Sequence, residues 1–156
     1  MNPSRRLRDL GMDLPQVAAP AGAYLPAVRT GSLVFTAGQL PIVDGRLAAT
    51  GRVGAEIDVE RGAELARACA LNALAAVDAL VGLDAIERVV KITGFVASAP
   101  DFYAQPAVLD GASTLIGEIF GAAGGHARSA IGVAQLPKNA PVEVEVVVQV
   151  TTEVSP

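Results

Sequence analysis

From Val142 to Thr151 a valine falls at every second position. Val142, Val144, Val146, Val148 and Val150 share one face, and Glu143, Glu145, Val147, Gln149 and Thr151 the other. A repeat of two is the period of a strand whose one face lies under a core. Ala127 to Leu136 alternates in the same way, with Ile131 and Val133 on one face and Arg128, Ala130, Gly132 and Ala134 on the other. Pro137 to Pro141 connects the two. A third long strand is expected over Glu87 to Ala97, with Val90, Ile92 and Val96 set against Val89, Lys91, Thr93 and Phe95. A short one is expected over Ser32 to Thr36, bounded by Gly31 and Gly38. Asp44-Gly45 is a hairpin-turn dipeptide, which predicts a short return strand within Arg46 to Thr50, followed by a loop over Gly51 to Asp58.

Between these runs the repeat lengthens. Leu74, Val77 and Val81, extended by Leu71, follow helical spacing and predict a helix over Val59 to Val81. Glu60 suits its first turn through the helix dipole, and Gly82 suits its end. A second helix is predicted over Val108 to Phe120, after a turn at Pro100-Asp101 and before a Gly-rich joint at Gly121 to Gly125. Residues 1–17 read as an arm or short helix carrying Leu7, Leu10 and Leu14 and ended by Pro15, and residues 18–156 as a single domain. The order is β-β-α-β-α-β-β, an α+β arrangement with two helices packed on one face of a sheet.

Composition changes this picture in one respect. Over half the residues are hydrophobic (51%) but only 4% are aromatic, and Trp is absent. A core of Ala, Val and Leu has few large rings to fill it, which favours burial by oligomerisation. The net charge is -4 with scattered arginines, which excludes an extended phosphate-tracking surface. Cys69 and His126 are the single residues of their kinds, so neither an intramolecular disulfide nor a His/Cys zinc site is expected. No apolar segment follows the basic start and none is long enough to span a bilayer. The expected location is cytoplasmic, with neither nucleic acid nor membrane as partner.

The sheet face away from the valines is the place to look for chemistry. Ala130, Gly132, Ala134, Val147 and Phe95 are poor choices for a face left in water, and a long cation, Arg128, stands beside small residues that leave room for a ligand. Arg128 offers a planar fork that matches a carboxylate; its plainer use is an ion pair with Glu143, Glu145 or Glu118. Glu143 suits a base or water-orienting group, or simply a wet strand position. His126 reads as a loop residue, with no second histidine for an RNase-type acid–base pair. Cys69, mid-helix among Ala and Leu, reads as a buried, inert thiol. Asp110-Gly-Ala-Ser113 reads as a helix irregularity. Gly121-Ala-Ala-Gly-Gly125 lacks the Lys-Ser/Thr ending of a phosphate loop.

Two segments carry a likeness. Phe35-Thr-Ala-Gly38-Gln-Leu-Pro41 and Ala127-Arg128-Ser-Ala-Ile-Gly-Val-Ala-Gln-Leu136-Pro137-Lys-Asn-Ala-Pro-Val-Glu143-Val-Glu145 resemble the signatures of the RidA/YjgF family. Tyr24 stands where that family has a tyrosine, and the resemblance covers roughly residues 20–151. It implies a chorismate-mutase-like fold on a mixed sheet and a homotrimer with pockets between subunits. The implied activity is hydrolysis of reactive 2-imino or enamine acids to 2-keto acids and ammonia, without a cofactor or a metal. Carried over, Arg128 would hold the substrate carboxylate and Glu143 orient the attacking water. Tyr24, Gly38, Phe95 and Ala130 would line the pocket. The chain differs from the best-known members at Ala37, where many have Ser, over Gln105 to His126, which is longer, and at His126 itself, which replaces Pro. Those differences leave two other readings: a non-catalytic sensor that binds a small carboxylate, and a chaperone-like protein-binding module. If Ala127–Leu136 and Val142–Thr151 form a hairpin, Arg128 and Glu143 lie about seven residues apart, roughly 23 Å at ~3.3 Å per residue. A pocket using both would then be built by two chains.

Overall fold

The computed structural model describes residues 2–152; Met1 and residues 153–156, the outermost parts of the expected arm and domain, lie outside the described residues. A five-stranded mixed sheet has the order β1-β2-β7-β5-β6, formed by Ala27–Thr30, Leu33–Thr36, Val142–Val150, Ile86–Ala97 and Ala127–Val133. A separate small hairpin pairs β3 (Ile42–Val43) with β4 (Arg46–Leu47). Helices α2 (Val59–Val81) and α3 (Gln105–Phe120) cover one face of the main sheet, and α1 (Pro3–Asp9) packs on α3. This is the expected α+β arrangement, with an arm helix in front and two more strands, β1 and β3, than the pattern predicts.

The central strand works as its pattern predicts. All five alternate valines of β7 are buried, at 2% exposure or less, beneath the helices. β7 runs antiparallel to both β2 and β5, while β5 and β6 run parallel through the α3 crossover. The last two strands therefore do not pair as a hairpin. β7 inserts between β2 and β5, and β6 stands at the sheet edge. Pro137–Asn139 makes a kinked turn with Lys138 and Asn139 at positive φ, so the chain leaves β6 and crosses β5 rather than doubling back.

Two face assignments are corrected by this topology. In β6 it is the Arg128, Ala130, Gly132 side that faces the helices: Arg128 reaches α3, and a Cβ on Gly132 would press against Gln105 of that helix. Ile131 is instead 42% exposed on the open face. Parallel pairing with β5 fixes this, because Ala130 aligns with Gly94 and Arg128 with Ile92, both of which face the helices. In β5 Val89 is buried and Val90 exposed, the reverse of simple alternation. Register shifts near Ile86–Arg88 and Val89–Lys91 add residues to that strand, and each inserted residue turns the following side chains over.

The helix layer is thin because its residues are small. Ala66, Cys69, Ala70, Ala73 and Ala76 of α2 are all buried, and Asp58 caps the helix by accepting a hydrogen bond from the Arg61 N–H at 2.7 Å. Gly111 lets α3 lie backbone to backbone on α2, since a Cβ there would collide with the Ala63 carbonyl. α3 begins at Gln105, three residues ahead of the expected start, and runs regularly through Asp110-Gly-Ala-Ser113.

Gly111→Ala tests this contact. Alanine favours the helix by about 1 kcal/mol, but overpacking against a backbone that cannot yield costs about 1–3 kcal/mol. Denaturant unfolding should therefore show a net loss of stability. A midpoint equal to or above that of the parent would mean that the two helices are not held this closely.

Candidate functional site

A cleft of about 930 Å³ opens beside the β2–β7 seam. Its walls come from the extended segment Pro15–Ala21, from Tyr24, from the loop after β2, and from Lys138 on the turn before β7; Glu143 stands among them. The loop arises from a break in strand pairing. β2 pairs with β7 as far as Phe35 opposite Val147, and pairing resumes only at Gln39 opposite Val144. One extra residue is accommodated between them, and Thr36 Oγ1 fills the gap by accepting from the Val146 N–H at 3.0 Å. The bulge throws Ala37 and Gly38 out of the ladder. Asn72, a buried amide on α2, fixes the far side of the loop by donating to the carbonyls of Leu40 (3.1 Å) and Ile42 (2.9 Å).

Gly38 and Glu143 fit together. The carboxylate lies over the Gly38 backbone so closely that any Cβ there would overlap Glu143 Oε1. Glu143 is half-buried, and burial pushes its carboxyl above the usual 4.5, with Glu145 two residues along adding to the rise. A half-buried carboxylate with no cationic partner among the described residues holds a proton more readily than a surface glutamate, as suits a group that accepts and returns protons. Cys69 lies behind it, fully buried, its thiol pushed well up by desolvation and then by the Glu143 charge. It is inert at neutral pH.

Arg128 lies elsewhere. From edge strand β6 its Nη1 donates to Asp110 Oδ1 at 2.8 Å and to Ser113 Oγ at 3.1 Å, both on α3. None of Glu143, Glu145 or Glu118 is its partner; Glu118 pairs with Arg67. His126 completes the group. Its Nδ1 lies 2.6 Å from the Gly124 carbonyl, which can only accept, so that nitrogen carries the proton. Nε2, 3.0 Å from Ser113 Oγ, then accepts the serine hydroxyl, and the serine turns a lone pair to Arg128. The structure thus makes a connected set of Asp110, Ser113, His126 and Arg128. The sequence signal was there: Asp110 and Ser113 are three apart, on one face of a helix.

The candidate residues therefore fall into two groups. Tyr24, Gly38 and Glu143 line the cleft. Arg128 and Ala130 face α3 on the edge strand, and Phe95, paired with Glu143, is half-buried on the open sheet face. Arg128 aligns with Ile92 and Glu143 with Phe95, three positions and two strands apart. That is roughly 14 Å at ~3.3 Å per residue and ~4.8 Å per strand, and on opposite faces of the sheet. Among the described residues no three His, Cys, Asp or Glu side chains gather as metal ligands, and no helix is long and apolar enough to cross a membrane.

Comparison with known proteins agrees with this architecture. The family described as "YjgF/chorismate mutase-like, putative endoribonuclease" matches residues 4–150. Protein TCP17 of Trypanosoma cruzi is 46% identical over 145 residues, covering 92% of this chain and 91% of the relative. The crystal structure of Atu1372 from Agrobacterium tumefaciens, of unknown function, shares the fold with a TM-score of 0.88 at 44% identity, over 96% of this chain and 92% of that one. TdcF of E. coli, solved with bound serine, gives a TM-score of 0.65 at 28% identity over 87% of this chain and 94% of its own. The signatures around Gly38 and Arg128–Glu143, the mixed sheet under two helices and the match over residues 4–150 lead to one conclusion: this chain belongs to the YjgF/chorismate mutase-like family.

Proposed function

We propose that the protein hydrolyses reactive 2-imino or enamine acids to 2-keto acids and ammonia, at pockets that two neighbouring chains of a homotrimer build together. The observation that carries this reading is the half-buried Glu143 carboxylate seated on Gly38 in a cleft large enough for a small acid. A water between Glu143 and the substrate gives its proton to the carboxylate as its oxygen bonds to C2 of the protonated imine, and the C=N π pair moves to nitrogen. Glu143 returns the proton to that nitrogen. Glu143 then takes the C2–OH proton, and ammonia leaves with the C–N electron pair as the ketone forms. Catalysis comes from orientation and from a base of suitable pKa. The carboxylate of the substrate is held by Arg128, whose planar fork is made for it.

The two groups lie too far apart, and on opposite faces, to meet in one chain. A second copy supplies the missing partner in this reading. The open sheet face has the character of a subunit contact: Val28, Phe35 and Val147 line up in one row by register, and Phe95 and Ile131 in another. Val28, Phe35 and Ile131 are 51%, 43% and 42% exposed. An apolar stretch across a sheet face of a chain with so few aromatics is accounted for by burial against a neighbour. That TdcF, a relative, was solved with serine bound supports a small amino- or imino-acid ligand.

Three outcomes check the reading. Arg128→Lys keeps the charge but loses the fork, and should weaken binding of a 2-keto acid by about 2 kcal/mol or more in calorimetry; unchanged affinity would remove Arg128 from the site.

Glu143→Gln should lower turnover of freshly generated 2-aminoacrylate roughly a hundredfold. It should also stabilise the fold at neutral pH. The folded-state pKa of Glu143 lies above its ordinary 4.5, so its contribution to stability is complete below that value and is lost as pH rises through the raised one. The gain in melting temperature from the Gln variant should therefore be present at pH 7 and vanish in acid. Wild-type turnover together with an unshifted melting profile would reduce Glu143 to a strand-face carboxylate.

Mixing Arg128→Ala and Glu143→Ala chains, each inactive alone, should restore part of the activity by forming pockets with both groups intact. A fully active monomer would end the shared-site reading.

A further inference from the structure

The Arg128 group has more in it than a carboxylate clamp requires. Arg128 uses only Nη1, shared between Asp110 and Ser113; among the described residues its Nε and Nη2 have no protein partner. Asp110 uses only Oδ1, and its other oxygen has no partner among the described residues. Its side chain is 65% exposed, against 24% for Arg128. A donor edge and an acceptor oxygen thus stand side by side, joined at a 2.8 Å ion pair.

The pair is held rigidly for a surface contact. Gly111 presses α3 onto the α2 backbone, which sets the rotation of α3 and with it the aim of Asp110 and Ser113. The Gly124 carbonyl fixes the His126 tautomer, His126 fixes the Ser113 hydroxyl, and Ser113 holds Arg128 from the other side. An exposed ion pair gains little stability by itself, so three side chains and a backbone carbonyl linked to one guanidinium nitrogen indicate positioning.

Such a pair is electrically neutral. A plain monoanion gains Arg128 but approaches the Asp110 carboxylate. A ligand with a positive nitrogen on the carbon next to its carboxylate gains both, because the anion meets the free guanidinium edge while the N–H groups meet the free Asp110 oxygen. We infer that Asp110 is a specificity-determining residue that makes the Arg128 site select zwitterions, the 2-iminium and 2-amino acids, over 2-keto acids. This rests on the reading of Arg128 as the carboxylate clamp. It extends that reading in one direction: a site of this kind takes up the charged imine and releases the keto acid, which has lost the positive nitrogen.

Titration calorimetry of the full-length protein with L-serine and with pyruvate tests the inference. Wild type should bind serine more tightly. Asp110→Asn, a near-isosteric change at an exposed position, should weaken serine and leave pyruvate equal or tighter, so that the ratio of the two Kd values moves on the order of tenfold. Asp110→Glu should restore part of the serine preference, and thermal unfolding should show Asp110→Asn folded like the parent. A ratio unchanged in Asp110→Asn overturns the inference, even if both affinities fall together. Arg128→Lys separates the two levels: it should weaken both ligands alike. Should it change neither, or should wild type bind neither ligand, the clamp reading itself fails and takes the zwitterion selection with it.

Discussion

The structure depends on how closely two helices approach each other. With almost no aromatic mass, the core cannot be filled by large side chains between separated elements, so α2 and α3 close the space by moving together. The contact is backbone to backbone at Gly111 and Ala63, flanked by a ribbon of buried alanines. Leu109, two residues before Gly111, lies over Gly94 of β5, where a side chain would have no room. A single glycine on α3 and another on β5 thus set how far the helix layer stands from the sheet. The position of Asp110 and Ser113 over β6 follows from those distances.

The second determinant is the crossing of the chain at its end. By entering between β2 and β5, β7 meets the bulge after β2, and only there can Glu143 lie on Gly38. The same crossing leaves β6 at the sheet margin with Arg128 turned toward α3. One topological choice sends the acid and the cation of the signature, fifteen positions apart in sequence, to opposite faces of the sheet. The proposed sharing of pockets between chains is a consequence of strand order more than of any one contact.

What could be read from the sequence follows from how local each signal is. The alternating valines of β7, the bounds Val59–Val81 of α2 and the Asp44-Gly45 turn are all local, and all appear as expected; Asp44 and Gly45 both adopt positive φ. The family likeness rested on linear motifs and was equally accessible. The faces of β6 were not, because alternation says which residues share a side but not which side the helices take; the parallel partner β5 decides that. The reversal at Val89 and Val90 comes from register shifts that only the neighbouring strand reveals. β1 was missed because Ala27 alone of its four residues is buried. Among the residues that line the cleft, Tyr24, Gly38 and Glu143 were singled out through motifs. The surroundings of Arg128 were not, since Asp110, Ser113 and His126 come together only when α3 is seated on β6.

The seating of Glu143 on Gly38 has an evolutionary reading. Position 38 has no room for a methyl group while the acid stays where it is, and a side chain there would push the carboxylate off the Gly38 backbone. The two sites form one heritable character. Descendants that keep the glutamate should keep the glycine, whereas a lineage that has lost the acid is released to accept alanine or serine at 38. Within such a family, the residue two places after Thr36 becomes a marker of whether the proposed chemistry persists, readable even where the glutamate has been replaced by something that resembles it.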